Sequence, residues 1–439
     1  MFPRRIAVCL FAMALVYAPF AHGCATNQAW FVLDGLLVLA ALFHLRECLA
    51  YGKRPTVPGF PLVAMLLILG LGVAQALNPK YIYDPVTRSM EALHSFRPHL
   101  PGTMDRRSSL IALIHWSALG IGFTALLDLL RDREVRWFLM GTIALTGLVM
   151  AVFGIALKFQ GSQVIPFTNS PCITFFGTYV YHAHAAAFLN LCWPASLVFA
   201  IRSIYGYQPI ARALWINGFL LTFFALFINI SKFGHLAAIP GLLFALVVLH
   251  KGMPPREARV PPLVLVLLVL ILLAGAATFI FPLAGVSVRR WDEVMHSGFG
   301  GRPILYEIAL SMVQQYPLWG TGSGTFYIVF PYFSAHLGTS MQGLFSHAHQ
   351  DYLQTMVEWG LPGAVVWFAL VGVGFLKGCR DHWLRPEELS TGAAIVALTI
   401  VGLHAMVDFP MQMGSLRLYA ATYLAILWRV RLPEDNPQA

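Results

Sequence analysis

Two histidines two residues apart, an aspartate close behind and a glutamate further on form the most reactive stretch of this chain. Residues 346–363 read Ser-His-Ala-His-Gln-Asp-Tyr-Leu-Gln-Thr-Met-Val-Glu-Trp-Gly-Leu-Pro-Gly, which places His347, His349, Asp351 and Glu358 together. A histidine held by a carboxylate can take a proton near neutral pH. The same residue types could also ligate a metal. Positions two apart on a helix diverge, however, so both histidines could meet one ion only on extended backbone. The basic surroundings also disfavour a dication, and no metal site is expected here.

This stretch opens directly into an uncharged run, 361–376. The whole chain of 439 residues is 58% hydrophobic and 11% charged, the composition of a polytopic membrane protein rather than of several soluble domains. Ionisable groups beside a membrane helix are costly to keep and usually functional. The net charge of +9 does not point to nucleic acid, because most basic residues fall in short loops on one side. Six scattered cysteines with no C-x-x-C signal neither zinc nor a disulfide framework. Only Cys24 and Cys172 would share the outer side, and no bridge between them is expected.

Apolar runs long enough to span (~17–25 residues) lie at about 6–22, 30–50, 59–77, 109–129, 137–157, 183–201, 213–230, 233–250, 262–282, 360–378, 391–411 and 413–430. The expected fold is therefore all-α and polytopic, with about twelve transmembrane helices. The first is read as uncleaved, since Ala21-His-Gly-Cys24 makes a poor processing site. Arg4 and Arg5, Lys53 and Arg54, Arg131 and Arg133, Lys251, Lys377 and Arg380, and Arg429 all fall on one side of this scheme. The positive-inside rule makes that side the cytoplasm and puts both termini there.

The organisation that follows has three parts. Residues 1–282 carry nine helices with an outer loop at 78–108, residues 283–359 form a long outer loop ending in the histidine motif, and 360–439 carry three more helices. The long loop holds a helical apolar stripe, Ile304, Leu305, Ile308, Ala309 and Met312, that stops at Tyr316-Pro317. Gly320, Gly322 and Gly324 then make a turn. In this scheme His182, His184, Ser231, Lys232, His235, His404, Asp408 and Arg417 reach the same outer rim as the histidine motif. Taken singly, each is an ordinary interfacial hydrogen-bonder, and Asp408 before Phe-Pro could simply end a helix. Their shared side argues for function, and the arginines of the outer loops, among them Arg289, Arg290 and Arg302, argue for an anionic ligand.

The stretch His347-Ala-His-Gln-Asp-Tyr-Leu-Gln followed by Glu358-Trp-Gly-Leu-Pro-Gly363 resembles the signature of the O-antigen ligase and polymerase superfamily of bacterial envelope glycosyltransferases. Gly301-Arg302 through Pro317-Leu-Trp-Gly-Thr-Gly-Ser-Gly-Thr-Phe326 is similar to that family's arginine helix and glycine turn, and His404…Asp408-Phe-Pro to its next helix. The likeness covers about 300–412. It departs from the family at Gln350, where an asparagine is usual, and at Lys232, where an arginine often follows the serine. The resemblance implies a GT-C-like, metal-independent, inverting glycosyltransferase of the bacterial inner membrane, needing no cofactor. Its donor would be a glycan on undecaprenyl pyrophosphate presented at the periplasmic face.

On that resemblance the catalytic residues would be His349 as base, Arg302 on the pyrophosphate and Glu358 or Asp351 orienting the histidine. Arg289, Arg290, Lys232, His347, Asp351, His404 and Asp408 would bind substrate. Ligation onto lipid A-core is the favoured reading; polymerisation of lipid-linked glycans and transfer to protein hydroxyls share the chemistry and differ in acceptor. A transporter would carry broken or repeated helices around midplane charges. A haem-handling protein would carry a tryptophan-rich outer motif. Neither pattern is found.

Overall fold

The computed structural model describes residues 2–204, 209–250, 252, 302–340 and 345–429. The apolar run at 262–282, together with Arg289 and Arg290, lies outside them. Every other expected run falls on a helix: α1 (Phe2–Phe20), α2 (Asn27–Ala50), α3 (Gly59–Leu77), α4 (Arg106–Leu129), α5 (Arg133–Phe159), α6 (His182–Ile204), α7 (Pro209–Ile228) and α8 (Lys232–His250). Two short outer helices, α9 (Arg302–Gln315) and α10 (Phe326–Ser334), precede α11 (Asp351–Leu384), α12 (Leu389–His404) and α13 (Gly414–Trp428). Among the described residues eight helices are long and apolar enough to cross a membrane, which makes this an all-α, multi-pass membrane protein. A two-stranded hairpin, β1 (Tyr81–Tyr83) with β2 (Met90–Ala92), decorates the loop after α3.

Helix α6 is the axis of the bundle, buried along nearly its whole length and packed by α5, α7, α12 and α13. The main core joins α1–α8 to α11–α13. A second, smaller core forms where α9 and α10 lie on the start of α11, from Leu305, Ile308, Ala309, Met312, Phe326 and Val357 among others. The expected stripe on α9 is thus the buried face, except that Ile304 turns outward and is 41% exposed.

Two departures from regular helix shape the rim. The run expected at 391–411 ends early, at His404, and α13 is only 15 residues long. Helices that short cover about 22–24 Å at 1.5 Å per residue, less than a ~30 Å hydrocarbon core. The irregular connection 405–413, which carries Asp408 and Phe409, joins the two helices at the rim. Helix α11 breaks at Gly360, whose backbone has φ +67°. The break frees carbonyls of the helix, which need partners when buried. The glycine turn supplies them: Thr321 N–H donates to Val357 O at 2.8 Å and Gly322 N–H to Glu358 O at 3.1 Å. Gln75 of α3 adds its amide to Glu358 O at 3.0 Å, and Leu361 N–H returns to Pro317 O at 2.8 Å. A Cβ at Gly360 would collide with Leu318 O, so only glycine fits here.

Candidate active site

The histidine motif is a loop between α10 and α11, not a helix. Gln350 closes it by capping α11, its side-chain oxygen accepting from Leu353 N–H. The amide at the position where the related family carries asparagine therefore has a structural use. Ala348 is fully buried and its N–H donates to Gln354 Oε1 at 3.1 Å. Between these anchors His349 is held at φ +51°, a left-handed conformation that a histidine seldom adopts. The Tyr306 hydroxyl fixes it there by donating to His349 O at 3.1 Å. Backbone strain of this kind persists only where the surroundings enforce it, and it clusters at functional positions.

Asp408 is the centre of the site. Its Oδ2 accepts from the Tyr181 hydroxyl at 3.2 Å and from Arg302 Nη2 at 3.3 Å. Its Oδ1 accepts from Phe409 N–H at 3.0 Å and lies 3.6 Å from His349 Nδ1, within ion-pair reach and just beyond hydrogen-bond contact. The carboxylate is only 2% exposed. Burial would push its proton affinity up, but the nearby His349 and the Arg302 charge hold it well below the usual carboxylate range. Burial, with Asp408 beside it, pushes the Tyr181 hydroxyl well above its ordinary value, so it stays a donor. Arg302, His349 and Tyr181 thus arrive from α9, the motif loop and the segment before α6, and meet on one ionised group.

Phe409 packs these side chains together. His347 stacks on its ring at 4.5 Å, His349 meets it edge-on at 4.6 Å, and His184 edge-on at 4.8 Å. Tyr181 stacks at 5.8 Å. Burial lowers the pKa of His347 to about 4, with His349 and Arg417 adding to the effect, so His347 is neutral at physiological pH. Its Nδ1 lies 3.3 Å from Gln354 Nε2.

Among the described residues neither Glu358 nor Asp351 pairs with His349, and the carboxylate nearest its ring is Asp408. Glu358 is buried and braces the glycine turn, accepting from Gly324 N–H at 2.9 Å and Phe326 N–H at 3.4 Å. It also accepts from Gln354 at 3.2 Å and reaches His347 only through that amide. Asp351 ties α11 to the 405–413 connection by accepting from Met411 N–H at 2.8 Å and Gln412 Nε2 at 2.9 Å. Arg417 completes that tie, donating to Gln412 Oε1 at 2.9 Å and to Met411 O.

His404 is fully buried beneath the site, 4.9 Å from the Phe233 ring, and neither ring nitrogen has a hydrogen-bond partner among the described residues. Lys232 opens α8 beside that same Phe233. Tyr181, Gln354 and the ring of Phe409 were not singled out from the sequence. Tyr181 stands next to the His182-x-His184 pair and Phe409 next to Asp408, which are the only local signals for either. All six cysteines are free.

Asp408 faces Nδ1 of His349, which leaves Nε2 as the nitrogen turned to other partners. Arg302 brings a cation to the same carboxylate. An imidazole and a guanidinium on one carboxylate have the chemistry to take a proton and to meet an anion.

Residues 218–368 match the family model described as O-antigen ligase. The matched segment runs from α7 into α11 and contains Lys232, Arg302, His347, His349 and Glu358 but ends before Asp408. Over those residues the match supports the likeness to the O-antigen ligase and polymerase superfamily. No curated protein matches the chain.

Proposed function

We propose that this protein transfers a glycan from undecaprenyl pyrophosphate onto lipid A-core at the periplasmic face of the inner membrane, as an O-antigen ligase does. The observation that carries the reading is the Asp408 cluster, which sets one base and one cation on a single buried carboxylate inside a bundle of membrane helices. His349 Nε2 takes the proton of the acceptor hydroxyl as its oxygen attacks the anomeric carbon. The bond from that carbon to the pyrophosphate oxygen breaks, and the pyrophosphate leaves against Arg302. Attack opposite the leaving group inverts the anomeric centre. Lys232, Arg289 and Arg290 would extend the cationic surface, while His347, His404 and Asp351 shape the pocket around the reacting groups.

The step is metal-independent in this proposal. Among the described residues, the one group of three ligand-type side chains close enough to share an ion is His44, Cys48 and Asp128, at the far ends of α2 and α4. The periplasmic assignment is supported by the opposite end of the bundle, where Arg4 pairs with Asp132 at 2.9 Å and Lys377 with Asp381 at 2.8 Å, since basic short loops favour the cytoplasm.

The test is glycan transfer by purified protein in nanodiscs from a lipid-pyrophosphate donor, with lipid A-core or a second lipid-linked glycan as acceptor, with and without EDTA. Expected is transfer to lipid A-core that survives EDTA and is lost in His349→Ala and Arg302→Ala. Elongated lipid-linked product instead would make the protein a polymerase with the same machinery. Activity lost to EDTA and restored by a dication would overturn the metal-free step.

A further inference from the structure

A cavity of about 450 Å³ opens on the rim away from the Asp408 cluster, between the loop after α3 and the end of α9. Lys80, Phe96, His99, Gln315, Tyr316 and Trp319 supply its distinctive chemistry. The volume falls within the range of small-molecule sites. Among the described residues no carboxylate lines it. The Lys80 ammonium stands 5.2 Å from the Tyr81 ring centre, 5.8 Å from Phe96 and 5.9 Å from Tyr316. Among the described residues no carboxylate comes within ion-pair distance of it. An ammonium set among three aromatic rings, with no carboxylate partner among the described residues, offers an anion a charge within apolar walls.

The walls are built rather than incidental. Asn78, buried at the end of α3, accepts from Arg97 N–H at 2.9 Å and donates to Arg97 O at 2.9 Å, Pro101 O at 3.1 Å and Leu100 O at 3.3 Å. That single side chain curls 97–101 into the cavity rim. Lys80 is pinned on both backbone groups, its N–H to Thr103 O at 2.8 Å and its carbonyl accepting from Leu93 N–H at 2.9 Å. The ring of Phe96 packs so close to Gly102 that a Cβ there would come within 2.7 Å of it. Trp319 is anchored through its carbonyl, which accepts from Gln75 Nε2 at 2.7 Å. The backbone that carries the cation and the rings is therefore held by the chain's own hydrogen bonds.

We infer that this cavity binds an anionic saccharide, with a sugar face on the aromatic wall and its carboxylate or phosphate on Lys80. Aromatic rings meet the C–H face of a sugar, His99 and Gln315 offer hydrogen bonds to hydroxyls, and Lys80 selects the charge. The cavity lies at the C-terminal end of α9 and Arg302 at its N-terminal end, about 20 Å away at 1.5 Å per residue. A glycan several sugars long would bridge the two points, so the cavity holds a part of the substrate remote from the bond being exchanged. This role rests on the glycan-transfer reading; the binding itself does not.

The test is saturation-transfer NMR on the full-length protein in nanodiscs of zwitterionic lipid, with glucuronic acid, glucose 6-phosphate, glucose and inorganic phosphate as probes. Expected is transfer to the ring protons of both charged sugars, at least tenfold weaker for glucose, and competition from phosphate only at high concentration. Lys80→Met should weaken the charged sugars about tenfold and leave glucose unchanged, while Phe96→Ala should weaken all three. Equal binding of glucose and the charged sugars, or charged-sugar binding untouched by Lys80→Met, would overturn the proposal. So would binding abolished by phosphatidylglycerol in the disc, which would make the cavity a lipid-headgroup site. Loss of transfer in His349→Ala with saccharide binding intact separates this inference from the catalytic one.

Discussion

The sharpest consequence of the structure concerns Asp408→Asn, which keeps the shape of the side chain and removes its charge. Asp408 accepts four approaches, from Tyr181, Arg302 and Phe409 N–H and, at 3.6 Å, from His349. An asparagine has one oxygen and one NH₂. If the NH₂ takes the Oδ1 place it meets Phe409 N–H, which cannot accept; if it takes the Oδ2 place it meets Arg302, which cannot accept either. A donor–donor conflict follows in both orientations. A charge-assisted hydrogen bond contributes about 1.5–3 kcal/mol, so losing the Arg302 bond, with the weaker His349 ion pair beside it, removes roughly 3 kcal/mol from the organised site. At about 1.4 kcal/mol per tenfold, transfer should fall roughly 10²-fold. The assay is initial rate of glycan transfer at saturating donor and acceptor, with the melting temperature measured on the same preparation. The loss should fall on kcat, because Asp408 organises the base and the cation and does not itself hold the glycan. An Asp408→Asn protein that keeps its fold and runs within about fivefold of wild type would refute the view that this carboxylate organises the reaction.

Three further outcomes follow from the geometry around it. Glu358→Gln should lower the melting temperature, because its two oxygens take Gly324 and Phe326 N–H groups in a buried turn and an unmet donor costs about 1–3 kcal/mol; a variant with wild-type melting and abolished kcat would return Glu358 to the chemistry. Gly360→Ala should lose folded yield and open the 317–325 turn to protease, since the position has φ +67° and its new methyl would strike Leu318 O, with the backbone strain alone about 1–3 kcal/mol. His347 has a pKa pushed from its ordinary 6.5 down to about 4 by burial. The unfolded chain therefore binds more protons between those values, and stability should rise with pH across that window and be lost as pH falls through about 4. His347→Gln should flatten that slope in melting curves recorded from pH 4 to 7, and an unchanged slope would count against a buried, neutral His347.

The bundle and the shared rim were legible because both rest on one-dimensional signals. Span length and the one-sided placement of Arg4, Arg131 and Lys377 need no knowledge of what touches what. The identity of His349's partner was not legible, and the reason is geometric. Asp351 and Glu358 stand nearest to the histidine in sequence and looked like its orienting groups. Yet Asp351, Gln354 and Glu358, three and four residues apart, share one face of α11. That face lies against the 405–413 connection and the glycine turn, whose N–H groups consume both carboxylates. The motif loop precedes α11 and leaves Gln350 to cap it, with His349 in a left-handed turn. Asp408 reaches His349 only because α12 stops at His404 and the chain dips irregularly before α13, an event marked in sequence by nothing stronger than Phe-Pro. The carboxylates adjacent in sequence thus build the frame, and the one that meets the base comes from a distant break between helices. The same logic explains Gly360: its motif neighbours Trp359, Leu361 and Pro362 are visible in the sequence, but its use is to free helix carbonyls for the turn that Glu358 also braces. His349 and Arg302 are therefore brought together through two breaks in helices, and under the proposed function a substitution at either break should disturb transfer without touching a reacting atom.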